Sequence, residues 1–290
     1  MAKLAVTIPP VRYRRTPPSL LKRLIRPFTA PFREILGGPD LEHCDHRRVD
    51  CGAVDVEFYL PAASFGGSAE YPVSIDLNNS PTPETAYEDR TKHKILRLGV
   101  TNWKYGRPKL EPTRFLPIPQ EPYVIVTTSW QLERVKNDLA LEVGNTAMLE
   151  QYLKDDYYTH LESEGGQNWQ IRTETQAELE PRGWDQESID EQIAIQLFDP
   201  PKNYESMMFN GVGWLRYIWA PRQNYPKALC YTCALTPSFL LTVSFGLTEM
   251  TGASLRHWWS PLVEDSEILV QGVKLHYKEL SPSSSTLPGL

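Results

Sequence analysis

No run of about 18 consecutive apolar residues occurs in the chain, so no segment reads as a transmembrane helix. An apolar leader core is missing as well. Pro9, Pro10 and the arginines behind them interrupt the N-terminus at once, and export by the ordinary route is not expected. Four cysteines in 290 residues, Cys44, Cys51, Cys230 and Cys233, are too few for a disulfide scaffold. A reducing, cytoplasmic setting is the simplest expectation. The serine-hydrolase elbow G-x-S-x-G is absent, as are G-x-G-x-x-G, G-x-x-x-x-G-K-[ST] and H-E-x-x-H. These absences remove motif-borne nucleophile, phosphate-cradle and zincin chemistry, although catalytic groups can still converge from distant segments. No cofactor is expected.

Charge of one sign is missing from two long stretches. The first 33 residues carry Lys3, Arg12, Arg14, Arg15, Lys22, Arg23, Arg26 and Arg33 with no acid among them. From Glu150 to Asp199 the balance inverts, and thirteen acids face only Lys154, Arg172 and Arg182. The formal net charge of -6 therefore averages two opposite regions. Such asymmetry points to separate partners, or to one region folding onto the other.

The abundant residue is proline, 25 in all, which falls between apolar segments and punctuates them. Residues 1–40 read as a basic arm whose short amphipathic stretch Leu20, Leu21, Leu24, Ile25 must dock to be helical. A β-rich region follows over 41–115, with alternation at Val54, Val56, Phe58, Leu60, then at Val73, Ile75, Leu77, and a strand at Ile95 to Val100. Proline-rich 108–122 marks a boundary, and 116–280 reads as an α+β domain. Its elements are strands at Tyr123 to Thr128 and around Leu139 to Val143, then a helix capped by Asn145 or Thr146 with Leu149, Leu153, Tyr157 and Leu161 on one stripe. Trp169 and Ile171 predict a further strand, and Asp185 precedes a helix with Ile189, Ile193 and Leu197 aligned. Two apolar runs, Ala228 to Leu235 and Phe239 to Phe245, predict a hairpin, and Ile268 to Tyr277 a final helix or strand. Residues 281–290 have the composition of a disordered tail. The expected fold class is α+β, antiparallel sheet meanders with a few covering helices and proline-rich loops.

Metal-ligating residue types gather at His43, Cys44, His46 and Cys51, which could serve a zinc ion. Cys230 and Cys233 are poor completions of that site, because alternation along a strand points positions three apart to opposite faces. Small buried cysteines beside a polar turn are the favoured reading. His160-Leu-Glu162 with Cys230-x-x-Cys233 imitates a nucleobase-deaminase pattern, but His160 extends the apolar stripe of its helix and fits a core or boundary position better. Asp155-Asp156 and Asp190-Glu191 occupy adjacent helical positions that point apart, as a solvated face does.

The composition favours a non-catalytic protein that binds another protein through its acidic surface, as a toxin-neutralising immunity or inhibitor protein would. The partner would carry a basic surface. Candidate partner-binding residues are Glu174, Glu178, Glu180, Trp184, Asp185, Glu187, Asp190, Glu191, Trp258 and Trp259. Two other classes remain open: a hydrolytic enzyme with a scattered polar or metal site between the halves, and a membrane-peripheral adaptor that uses the basic arm. Nucleic acid is disfavoured as a ligand of the main body by its acidity.

Overall fold

The computed structural model describes residues 36–64, 71–75, 77, 87–88, 94–106, 123–135, 139–220, 227–249 and 256–278. The arm through residue 35, the stretch 108–122 and the tail 281–290 lie outside the described residues. Apolar and polar side chains alternate along strands that pair antiparallel in two sheets. The large sheet runs in the order β1 (Leu36–Gly37), β5 (Lys94–Gly106), β6 (Tyr123–Arg134), β10 (Phe239–Glu249), β9 (Lys227–Thr236), β8 (Val212–Trp219), β7 (Lys202–Phe209), with β4 (Tyr87–Glu88) also on β5. The small sheet is β11 (Lys274–Tyr277), β3 (Val54–Ala62), β2 (Asp40–Asp50). Four helices are described: α1 (Thr146–Glu162), α2 (Gln167–Leu179), α3 (Gln186–Gln196) and α4 (Arg256–Gln271). The class is α+β. Among the described residues no helix is long and apolar enough to cross a membrane.

The sheets meet through one core. Val54, Val56, Phe58 and Leu60 alternate inward from β3 and face Trp103 of β5, Trp130 of β6 and Phe245 of β10. Gly99 marks the closest approach: it sits at the β5–β6 irregularity, and a Cβ there would lie 2.7 Å from Leu60 Cδ1. Strands β5 and β6, which flank the proline-rich 108–122, pair from Ile95↔Glu133 to Gly106↔Tyr123, and both feed this core. Trp258, Leu262, Leu269 and Val270 of α4 close it.

On the other face of β8, β9 and β10, Leu215, Tyr217, Cys230, Ala234 and Leu240 meet the apolar stripe of α1. Asn145 caps that helix, its Oδ1 accepting from the Met148 N–H at 3.0 Å. Leu149, Leu153 and Leu161 are buried, each contributing about 2 kcal/mol relative to exposure. Hairpin β9–β10 and the opposed faces of Cys230 and Cys233 agree with the sequence reading.

Three predicted strands differ. The segment around Trp169 and Ile171 is the helix α2, because its inward residues are polar: Asn168, buried to 1% exposure, and Thr175 one heptad later. Asn168 Nδ2 donates to Glu162 Oε1 at 2.6 Å and to the Phe198 carbonyl at 3.0 Å, while its Oδ1 accepts from the Phe198 N–H at 2.7 Å. One side chain thus ties α1, α2 and the end of α3 together. Leu139 to Val143 forms no strand; Leu141 is buried while Leu139 and Val143 are exposed. Of Val73 to Leu77, the described residues make only an isolated parallel bridge, Ser74 to Asp50.

One half-buried acid couples α4 to the large sheet. Asp265 accepts a hydrogen bond from the Tyr105 hydroxyl at 2.5 Å, and burial nonetheless pushes its carboxyl up to about 6. The native pKa lies above the unfolded one, so the unfolded chain ionises first as pH rises. Stability present below about pH 4 is then lost as pH climbs through about 6, and amounts to about 2 kcal/mol after solvent screening. Denaturant titrations of wild type and Asp265→Asn should lie closest at low pH and separate toward higher pH as the wild type loses stability that the variant keeps. Parallel pH profiles would refute the assignment.

Candidate functional site

Three clusters of polar side chains compete for the role of site, and they differ in how fully their hydrogen-bonding capacity is used. The first covers the outer face of the small sheet, where alternation along β3 turns Asp55, Glu57 and Tyr59 away from the core. Burial alone would raise the Glu57 carboxyl, but hydrogen bonds from His276, His46 and Lys274 reverse this and hold it at about 2. Asp55 pairs with Arg48 at 2.6 Å and with Lys278 at 2.8 Å, and Lys278 also reaches Asp50 at 2.6 Å. Every acid in this network has a cation. It laces three strands together with its charges matched internally.

The second cluster is a groove of about 510 Å³ between α1 and the start of β7, lined by Lys154, Tyr158, Pro200, Pro201 and Tyr204 among others. Its charges are matched: Lys154 bonds Glu150 at 2.5 Å within the wall, and Lys202 bonds Asp199 just outside it at 2.9 Å. The Tyr204 hydroxyl is buried there without a partner, and the exposed Tyr158 and Asn203 make no side-chain hydrogen bond among the described residues.

The third lies between α2 and α3. The two helices pack on each other, α2 also packs on α1, and neither makes extensive contact with either sheet. Only Asn168, Thr175 and Ile189 are buried within them, so they form an outlying lobe. Helical spacing brings Ile171, Glu174, Thr175 and Glu178 onto one stripe of α2 and Gln192 and Gln196 onto one stripe of α3. Trp184, 45% exposed in the turn between the helices, completes a groove of about 300 Å³ that Leu179 also lines. No described residue bonds the side chains of Glu174, Gln192 or Gln196, and Glu178 pairs only with Arg182 at 3.0 Å. Thr173 returns its hydroxyl to the Trp169 carbonyl at 2.9 Å, as helical threonines commonly do. Thr175, 8% exposed in the groove, makes no such bond.

The sequence-predicted residues divide accordingly. Glu174, Glu178 and Trp184 converge on the third groove. Glu180 begins a single 3₁₀ turn and accepts from Gln176. Asp185 caps α3, its Oδ1 accepting from the Ser188 N–H at 2.9 Å, which holds its carboxyl below the usual range. Asp190 accepts from Gln186 at 2.8 Å, and Glu187 and Glu191 are exposed on α3. Trp258 and Trp259 do not belong with them. Trp258 is 1% exposed in the central core, stacked 6.4 Å from Tyr105, and Trp259 packs against the same core. Trp258 is therefore corrected from a surface anchor to a core residue. Thr175, Gln192 and Gln196 were not foreseen, since nothing in their local sequence says that two helices will face each other across them.

The metal-ligating residue types do not share a centre among the described residues. His43 Nδ1 bonds Asp40 at 2.9 Å, His46 bonds Glu57 at 3.1 Å, and Cys51 is in the core, where burial pushes its thiol up to about 12. Cys44 is half-buried against the carbonyls of Asp40 and Leu41, with its thiol raised to about 11 by burial. His160 is half-buried on α1, and Glu162 is engaged by Asn168 and Arg172.

No family model matches the chain, nor does any curated protein or solved structure. The functional reading therefore rests on the residues themselves.

Proposed function

We propose that this chain is a non-catalytic binding protein whose α2–α3 lobe captures a basic segment of another protein. The observation that carries the reading is the contrast among the three clusters. Charges are matched in the first two, whereas the lobe groove presents the carboxylate of Glu174, two amides and a hydroxyl without protein partners beside an exposed tryptophan. Buried polar groups are ordinarily satisfied, so the buried Thr175 and the half-buried Gln192 and Gln196, which lack protein partners, are free to bond a ligand beside the exposed Glu174 and Glu178. The acidic excess of the lobe raises the encounter rate with a cationic partner, and Trp184 supplies an aromatic anchor within an otherwise polar rim. Trp169, 39% exposed, and Ile195, 71% exposed, extend apolar surface on the same lobe. An immunity or inhibitor role, in which an acidic face occupies the basic cleft of an enzyme, is the biological setting these properties fit.

The test is a map of contact. Addition of a short arginine-serine peptide to isotope-labelled protein at low salt is expected to move backbone amides of α2 and α3. Resonances of the small sheet should stay in place. Shifts centred on β2, β3 and β11, or no shifts at all, would overturn the proposal.

A further inference from the structure

We propose that the α2–α3 groove is a receptor for a single arginine side chain, an inference that rests on the binding reading above and narrows it to one chemical group. The groove volume of about 300 Å³ falls at the lower limit of ordinary ligand pockets, which suits one long side chain better than a folded surface or a drug-sized molecule. Its two carboxylates only accept, while its two amides and one hydroxyl can accept as well as donate. Glu174 carries a carboxylate with no partner, Glu178 has an oxygen beyond its Arg182 bond, and Gln192 and Gln196 offer amide oxygens. Thr175, a residue 8% exposed, adds a hydroxyl that lacks the usual back-bond to its own helix.

A guanidinium matches this set in three respects. It is planar and weakly hydrated, so it can lie against the Trp184 ring at little desolvation cost. Its five N–H donors, in a fixed fork, need several acceptors converging from different directions, and α2 and α3 supply them from two sides. It stays charged at any pH the protein meets, so the two glutamates hold it electrostatically. A lysine ammonium presents three donors at a strongly hydrated point and would leave most of these acceptors unused. Neutral citrulline keeps the planar shape but gives up the charge.

Three short peptides that differ only in a central arginine, lysine or citrulline separate these cases on the wild-type protein. The readouts are the side-chain amide signals of Gln192 and Gln196 and the indole N–H signal of Trp184. The arginine peptide is expected to move all three at concentrations at least tenfold below those required for lysine, with citrulline weaker still. Thr175→Val and Trp184→Ala should each erase most of the arginine preference while the residual attraction for cations persists. Unchanged backbone amide positions outside the groove would certify the fold of each variant. Equal response to arginine and lysine within the lobe would overturn the arginine receptor and leave the basic-partner reading standing. Silence from all three peptides would overturn both.

Discussion

Replacing Trp130 with alanine is expected to lower the stability of the fold by about 4 kcal/mol, in the range measured for large aromatic truncations in packed cores. Trp130 is fully buried where the two sheets meet. It stacks on Phe58 of the small sheet at 5.5 Å and meets Phe245 of the large sheet edge-on at 6.3 Å. Alanine would remove a side chain that touches aromatic partners on both sheets. The melting temperature should fall by roughly 10 °C for a protein of this size. Trp130→Phe supplies the internal control. No described residue accepts from the buried Trp130 indole N–H, so phenylalanine removes an unsatisfied donor as well as some volume, and the two effects offset in part. Thermal unfolding followed by circular dichroism checks both variants. An alanine variant that melts within about 3 °C of wild type would mean that the sheets are not held together at this point.

Much of this arrangement could be read from local chemistry, and the exceptions share a cause. The β9–β10 hairpin follows from two apolar runs around Thr236-Pro237-Ser238, and α1 and α3 announce themselves through their caps, Asn145 and Asp185. Helix α2 stayed hidden because its buried face is made of Asn168 and Thr175, and burial of polar groups leaves no hydrophobic period to detect. Edge strand β2 was equally silent: only Leu41 and Val49 of its eleven residues are buried. The adjacent pair Trp258-Trp259 reads as a surface patch in sequence. On α4, consecutive residues point about 100° apart, so one ring enters the core and the other rests against its margin.

The candidate site was legible in the same partial way. Acid excess and Trp184 could be located from the sequence because charge and aromatic content are properties of composition. The unpaired Thr175, Gln192 and Gln196 could not, because their lack of partners is a property of how α2 packs on α3. That distinction matters for what the lobe can do. Acidity alone describes a solvated helix face, whereas acidity beside unused hydrogen-bonding groups describes a place where a cation can lose its water and be repaid in contacts.

The strongest effect on binding should come from reversing the two groove acids together, Glu174→Lys with Glu178→Lys. Each reversal changes the local charge by two units at several ångströms from the bound cation. At the effective dielectric of a partly exposed groove, the pair is worth roughly 3 kcal/mol, a loss of about a hundredfold in affinity for the arginine-serine peptide. The cost to the fold is small by comparison, because only the exposed Glu178–Arg182 pair is lost, worth about 0.4 kcal/mol. Glu174→Gln with Glu178→Gln should fall between the variant and the wild type, since it removes attraction without adding repulsion. Salt supplies an independent arm. At about 0.1 M the screening length is near 10 Å, so wild-type affinity should drop steeply as salt is raised, whereas the reversed variant, with little attraction left, should respond weakly or in the opposite sense. Titration calorimetry at low and high salt reads all of these quantities. If the reversed variant binds within about threefold of wild type, under conditions where the peptide binds at all, the groove acids do not hold the partner and the lobe is an ordinary solvated surface.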